Sequence, residues 1–176
     1  MARAGKIDLR VFQQELATRL ALKTTAEVES SRLGLASAGQ QWLIRLAEAG
    51  EVIALPQLVG VPLTKPWFLG LANVRGNLYS VVDFAGFLGL EATAPHAAGG
   101  AGRLVLFGPR VGELRVGIMV PRVLGLRNLA ELAPGGPPAA SRPWYGQRWI
   151  DASGGEWQEI DLVLLAQDPD FLQVGL

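Results

Sequence analysis

Apolar positions Leu9, Phe12, Leu16 and Leu20 recur at spacings of three or four, which places them on one face of a helix over Asp8–Leu22. Asp8 stands where an N-cap belongs, and Glu15 and Arg19, four apart, add a surface pair. Residues 23–40 show no sustained period and read as a connector, so 1–40 forms a helical extension. From Gln41 the period becomes two. Trp42, Ile44 and Leu46 alternate with Leu43, Arg45 and Ala47, and the run Glu51–Leu55 follows a Glu48-Ala49-Gly50 break. These two runs predict a hairpin. Pro56, Pro62 and Pro66 then exclude a long helix, and Asn77–Asp83, apolar and β-branched, predicts a buried strand.

Two stretches read as loops, Glu91–Gly102 and Ala133–Ser141. Between them Arg103–Phe107 predicts a short apolar strand and Glu113–Val120 a half-buried one, with Leu114, Val116, Ile118 and Val120 facing inward. Further strands are expected over Trp144–Asp151 and Glu156–Ile160, joined by Ser153-Gly154-Gly155. Asp161 then caps a short helix, Leu162–Gln167, stopped by Pro169. Many short strands broken by Gly and Pro predict a mainly β architecture of small barrels or sandwiches.

Composition narrows the function classes. At 176 residues, with 49% hydrophobic and 18% charged, the chain is too apolar for disorder. With no cysteine it has no disulfides, thiolate metal ligands or cysteine nucleophile. Its formal net charge of zero supplies no field for a polyanion, so nucleic acid is not expected as a partner. No apolar run reaches the roughly eighteen residues of a spanning helix. A cytoplasmic protein without direct membrane insertion is expected.

The residues offer little chemistry. His96, the one histidine, lies in an Ala/Gly loop. The Gly99-Gly100-Ala101-Gly102 cluster lacks the Gly-Lys-Ser/Thr and following helix of a phosphate loop. Asp83, Glu51, Glu156 and Glu159 stand singly, without the convergence that paired acid–base work needs. No catalytic residue, metal ligand or cofactor is therefore assigned. A hydrolase using Asp83 and Glu51 is the weakest alternative. The five tryptophans, Trp42, Trp67, Trp144, Trp149 and Trp157, read mainly as core. They also define a second reading, a small-molecule-binding β barrel with a tryptophan-lined pocket.

The densest signal runs from Pro66 to Phe84. There an Asn73-Val74-Arg75-Gly76 turn, between an apolar approach and a strand, sets a polar side chain and a planar cation at a strand mouth. Gly76 supplies backbone freedom. Arg75 as a brace on carbonyls and Arg75 as a partner contact are both open on these residues alone.

This segment, Gly70-Leu71-Ala72-Asn73-Val74-Arg75-Gly76 followed by Val81-Val82-Asp83-Phe84, resembles the CheW family of chemotaxis coupling proteins. The resemblance extends over Gln41–Leu176, through Pro62-Leu63-Thr64 and Gly117-Ile118-Met119-Val120-Pro121-Arg122-Val123. Pro66-Trp67-Phe68-Leu69-Gly70, Trp157-Gln158-Glu159-Ile160-Asp161-Leu162 and the helical extension look most like the twitching-motility, PilI-type branch. Two departures stand out. Pro121 occupies a position where many members carry Asp, and Pro56-Gln57-Leu58-Val59 lacks the family's acidic residue.

The resemblance implies two SH3-like five-stranded β barrels, with an N-terminal helical extension (1–40), a CheW-like domain (41–176) split near 89–102, and a short C-terminal helix. It implies a non-catalytic adaptor that links the cytoplasmic tip of a methyl-accepting chemoreceptor to the regulatory domain of a CheA-type histidine kinase, recruited to the inner-membrane chemoreceptor array and controlling type IV pilus twitching. On this basis Leu71, Asn73, Arg75, Gly76 and Val82 are the expected receptor-binding residues. Leu58, Val59 and Val61 are the expected kinase-binding ones.

Overall fold

The computed structural model describes residues 14, 18, 25–90, 102–138 and 140–176. The helix expected over Asp8–Leu22 falls largely outside these residues. Gln14 and Thr18 are helical, with the Thr18 hydroxyl donating to the Gln14 carbonyl at 2.8 Å. His96 and nearly all of the Glu91–Gly102 loop also lie outside. Residues 25–30 are helical and mostly exposed.

Eleven strands follow: β1 (Ser31–Ser37), β2 (Gln40–Arg45), β3 (Ala49–Ala54), β4 (Phe68–Val74), β5 (Asn77–Asp83), β6 (Arg103–Phe107), β7 (Val116–Val120), β8 (Arg122–Asn128), β9 (Ala133–Pro134), β10 (Tyr145–Ile150) and β11 (Glu156–Ile160). One-turn α-helices among the described residues include α1 (Phe84–Phe87), α2 (Leu162–Leu165) and α3 (Pro169–Leu172). The strands form two sheets, six-stranded in the order β8-β1-β2-β11-β10-β9 and five-stranded in the order β3-β6-β7-β5-β4.

The sheets repeat one plan. In each, a hairpin lays its second strand parallel to the second strand of another hairpin: β2 beside β11, and β5 beside β7. The leading hairpins turn alike, with positive φ at both central residues, Ala38 and Gly39 in one and Arg75 and Gly76 in the other. That is the turn whose twist matches paired strands.

Strand β1 lies within the stretch read as a connector. Its Gly34, over Trp157, and its small residues Ala36 and Ser37 blunt the hydrophobic alternation, yet Leu33 and Leu35 are buried. Strands β2 and β3 do not form the expected hairpin. Both edges of β2 are taken, by β1 and β11, so β3 crosses to pair with β6. Nor do the sheets divide at residues 89–102, because β3 to β7 all belong to the five-stranded sheet. The chain changes sheets at the turn before β3 and at Pro121, which has no N–H to continue a ladder.

One apolar cluster is shared by both sheets and includes Leu35, Trp42, Ile44, Val82, Phe84, Ile118 and Ile160. Ala72, Val81, Leu104, Leu106 and Met119 fill the other face of the five-stranded sheet. Leu43, Leu132 and Trp157 fill that of the six-stranded one. Strand β7 is therefore buried on both faces, not half-buried as its alternation predicts. Val116, Ile118 and Val120 enter the shared core, Met119 enters the second cluster, and Gly117 leaves room for Leu104. The expected helix Leu162–Gln167 ends at Leu165, and Pro169 opens α3 instead of only stopping what precedes it. Asp168 caps α3 through the N–H groups of Asp170 and Phe171, and its other oxygen accepts the Trp144 indole N–H at 2.6 Å.

Candidate functional site

The β4–β5 hairpin carries the Asn73-Val74-Arg75-Gly76 turn to the end of the five-stranded sheet. The Asn73 side-chain oxygen accepts the Gly76 N–H at 2.8 Å, so Asn73 holds the turn. Arg75 has φ 52°, a left-handed conformation that costs a non-glycine residue about 1 kcal/mol. That geometry holds its side chain outward, 75% exposed, and its guanidinium meets Glu51 of β3 at 2.5 Å. Strands β3 and β4 are opposite edges of the sheet, so this pair links the hairpin tip to the far edge strand. A cleft of about 290 Å³ lies alongside, bordered by Glu51, Arg75, Tyr79 and Pro109. Arg75 thus braces, but on a carboxylate and not on carbonyls.

Gly70 shapes the other half of the site. With φ 123° it forms a bulge in β4, and a Cβ there would lie 2.2 Å from the Val59 carbonyl oxygen. Only glycine admits the close approach that lets Val59 exchange backbone hydrogen bonds with Leu71 at 2.8 and 2.9 Å. Val59 is 67% exposed and Val61 38%. Leu58 is half-buried against the Leu104–Met119 cluster. The structure turns the remaining expected contacts, Leu71 and Val82, inward. Leu71 is half-buried against the shared core, and Val82, 2% exposed, lies inside it because its position in β5 faces Ile118 of β7. Val82 is therefore a core residue, not a wall of an open groove.

Three features escaped sequence reasoning. Glu51 is the partner of Arg75, across a sheet curvature that no local pattern records. Leu63 sits at φ 58° and is 80% exposed beside Val59 and Val61. Glu159, read as standing singly, joins an ion network: it receives Arg32 at 2.8 Å, while Arg45 reaches Glu48 at 2.8 Å and Asp161 at 2.7 Å. Glu48 further accepts the Leu162 N–H at 2.9 Å. This network ties β1, β2, β11 and α2 together at the point where the chain changes sheets. Burial favours a neutral Arg45, but the hydrogen bonds to Glu48 and Asp161 outweigh it and raise the pKa.

The other two readings lose their geometry. Trp42, Trp144 and Trp157 are 1%, 1% and 2% exposed and fill core; Trp157 also borders an open cleft with Gln40, Arg148 and Glu156, which holds no second tryptophan, so no tryptophan-lined pocket forms there. Asp83 is buried and caps α1 by accepting the Ala85 N–H at 3.1 Å, while Glu51 is bound to Arg75, so the two carboxylates serve separate structural roles. Among the described residues no helix is long and apolar enough to cross a membrane.

The model of the CheW-like domain matches residues 33–167. The chain belongs to the CheW-like family. That match takes in β1, in keeping with its place in the six-stranded sheet. Protein PilI of Pseudomonas aeruginosa is 34% identical over 85 residues, 48% of this chain and 48% of that protein, so the alignment spans about half the length of this relative. The scaffolding protein TtCheW from Thermoanaerobacter tengcongensis shares the fold, with TM-score 0.67 at 14% identity over 83% of this chain and 97% of that one. Proteins of the CheW-like family are non-catalytic scaffolds.

Proposed function

We propose that this CheW-like chain couples a methyl-accepting chemoreceptor to a CheA-type histidine kinase in a pathway controlling type IV pilus twitching, at the inner-membrane receptor array. The likeness to PilI supports the pathway. The observation that carries the docking role is Arg75: a charged side chain on a strained turn, outward and 75% exposed, with one exposed carboxylate as its partner. Arg75 and the Asn73–Gly76 turn form the receptor-facing surface, with Leu71 supporting it from beneath. Val59 and Val61, presented by Leu58 and Gly70, form the kinase-facing one. A few anchors dominate such interfaces, so removing Arg75 costs about 2 kcal/mol of receptor binding, roughly thirtyfold.

The test is capture of receptor and kinase from lysate of the source cell by wild type and Arg75→Ala, with melting of both. Wild type should retain both partners, and Arg75→Ala should lose the receptor while melting normally. Failure of wild type to retain either partner overturns the coupling assignment. Retention of receptor by Arg75→Ala overturns the role of Arg75.

A further inference from the structure

Strand β8 closes one end of the six-stranded sheet, and its outer edge pairs with no strand among the described residues. It is seven residues long, and Arg122, Gly125, Leu126 and Asn128 are exposed, with Leu126 at 59%. Long edges of this kind are usually blunted, because their free N–H and C=O groups template another strand. Here the charges on the edge are all of one sign. Arg122 makes no ion pair or side-chain hydrogen bond among the described residues. Arg127 lies 5.2 Å from the Trp157 ring centroid and bonds the Leu126 carbonyl, but meets no carboxylate among the described residues. In the five-stranded sheet the corresponding edge of β4 is already covered by Val59.

We propose that β8 is a docking edge for an extended acidic segment of a partner protein, added as a further strand to the six-stranded sheet. Backbone hydrogen bonds along β8 hold it. Arg122 and Arg127 select its carboxylates. This surface is separate from the Arg75 turn and does not depend on its role.

The probe is a synthetic nine-residue peptide alternating Glu with Val and Thr, titrated into the full chain with amide hydrogen exchange and amide chemical shifts as readouts. Controls are the same peptide with Lys for Glu and a version N-methylated at alternate residues. The acidic peptide should slow exchange of β8 amides, bind more weakly at high salt, and lose about tenfold affinity in Arg122→Ala/Arg127→Ala, the sum of two exposed charge contacts. Equal binding of the Lys or N-methylated peptide, protection confined to another edge, or no shift at millimolar peptide overturns the proposal.

Discussion

The Arg75 guanidinium and the Glu51 carboxylate, 2.5 Å apart, link a hairpin tip to an edge strand that is its opposite in the sheet order. Both side chains are about half exposed or more, so the pair has little energetic weight: exposed pairs contribute about 0–1 kcal/mol. Glu51→Gln should therefore change stability by less than about 1 kcal/mol and release Arg75 for other carboxylates. In a receptor-binding assay it should equal or exceed wild type, whereas Arg75→Ala falls. A loss as large as that of Arg75→Ala would mean that the pair acts as one unit in shaping the turn.

Gly70 supports a sharper expectation. Gly70→Ala combines a left-handed φ with a Cβ 2.2 Å from the Val59 carbonyl oxygen, and backbone cannot yield as a flexible side-chain tip does. A cost of about 2 kcal/mol or more is expected, read by denaturant unfolding. The Val59–Leu71 hydrogen bonds should open first, so amide exchange at Leu71 should accelerate ahead of the shared core.

The buried pair of Arg32 and Glu159, each 6% exposed, behaves differently from the surface one. Arg32→Ala leaves Glu159 buried with Arg45 3.7 Å away and the Trp149 indole N–H at 3.3 Å. That partial compensation places the cost near the low end of the usual range, about 3 kcal/mol. Pairing Arg32→Met with Glu159→Leu should recover most of it, since an apolar pair pays no desolvation. A double variant less stable than Arg32→Ala would assign the network a role in specifying the fold.

What the chain disclosed in advance follows the range of the interactions concerned. The Asn73–Gly76 turn, the burial of β5 toward Asp83 and the strands Arg103–Phe107 and Glu156–Ile160 rest on local chemistry, and their residues carry it openly. Strand β1 was hidden because small residues interrupt its alternation. The partition of β2 and β3 into different sheets depends on which strand claims each edge of β2, a competition settled by β11, more than a hundred residues away. Val82 was misplaced although its strand reads as buried: nothing in the segment shows what covers each face, and only the second sheet closes the one taken for an open groove. The ion network drew on residues far apart in the chain, with no spacing to betray it.

Asp151 gives a prediction in pH. Its carboxylate accepts the Ser153 hydroxyl at 2.6 Å, the Trp157 indole N–H at 2.9 Å and the Gly155 and Ser153 N–H groups at 2.9 Å each, organising the turn between β10 and β11. The Ser153 hydroxyl, then the indole and the Gly155 N–H, hold the carboxyl well below its ordinary value of 3.8. With the folded-state pKa depressed, the charged form favours folding at pH values above the ordinary one, and the contribution fades as pH falls below it. Thermal melting of wild type and Asp151→Asn should therefore differ by a constant amount from neutral pH down to about 5, with wild type the more stable, and converge below about 4. Because the folded carboxylate keeps its charge through that range, the near-ultraviolet circular dichroism of Trp157, part of the Leu43–Leu132 cluster, should stay unchanged while the stability gap begins to close. A gap that persists unchanged at pH 3 would show that the turn depends on the shape of the side chain and not on its charge.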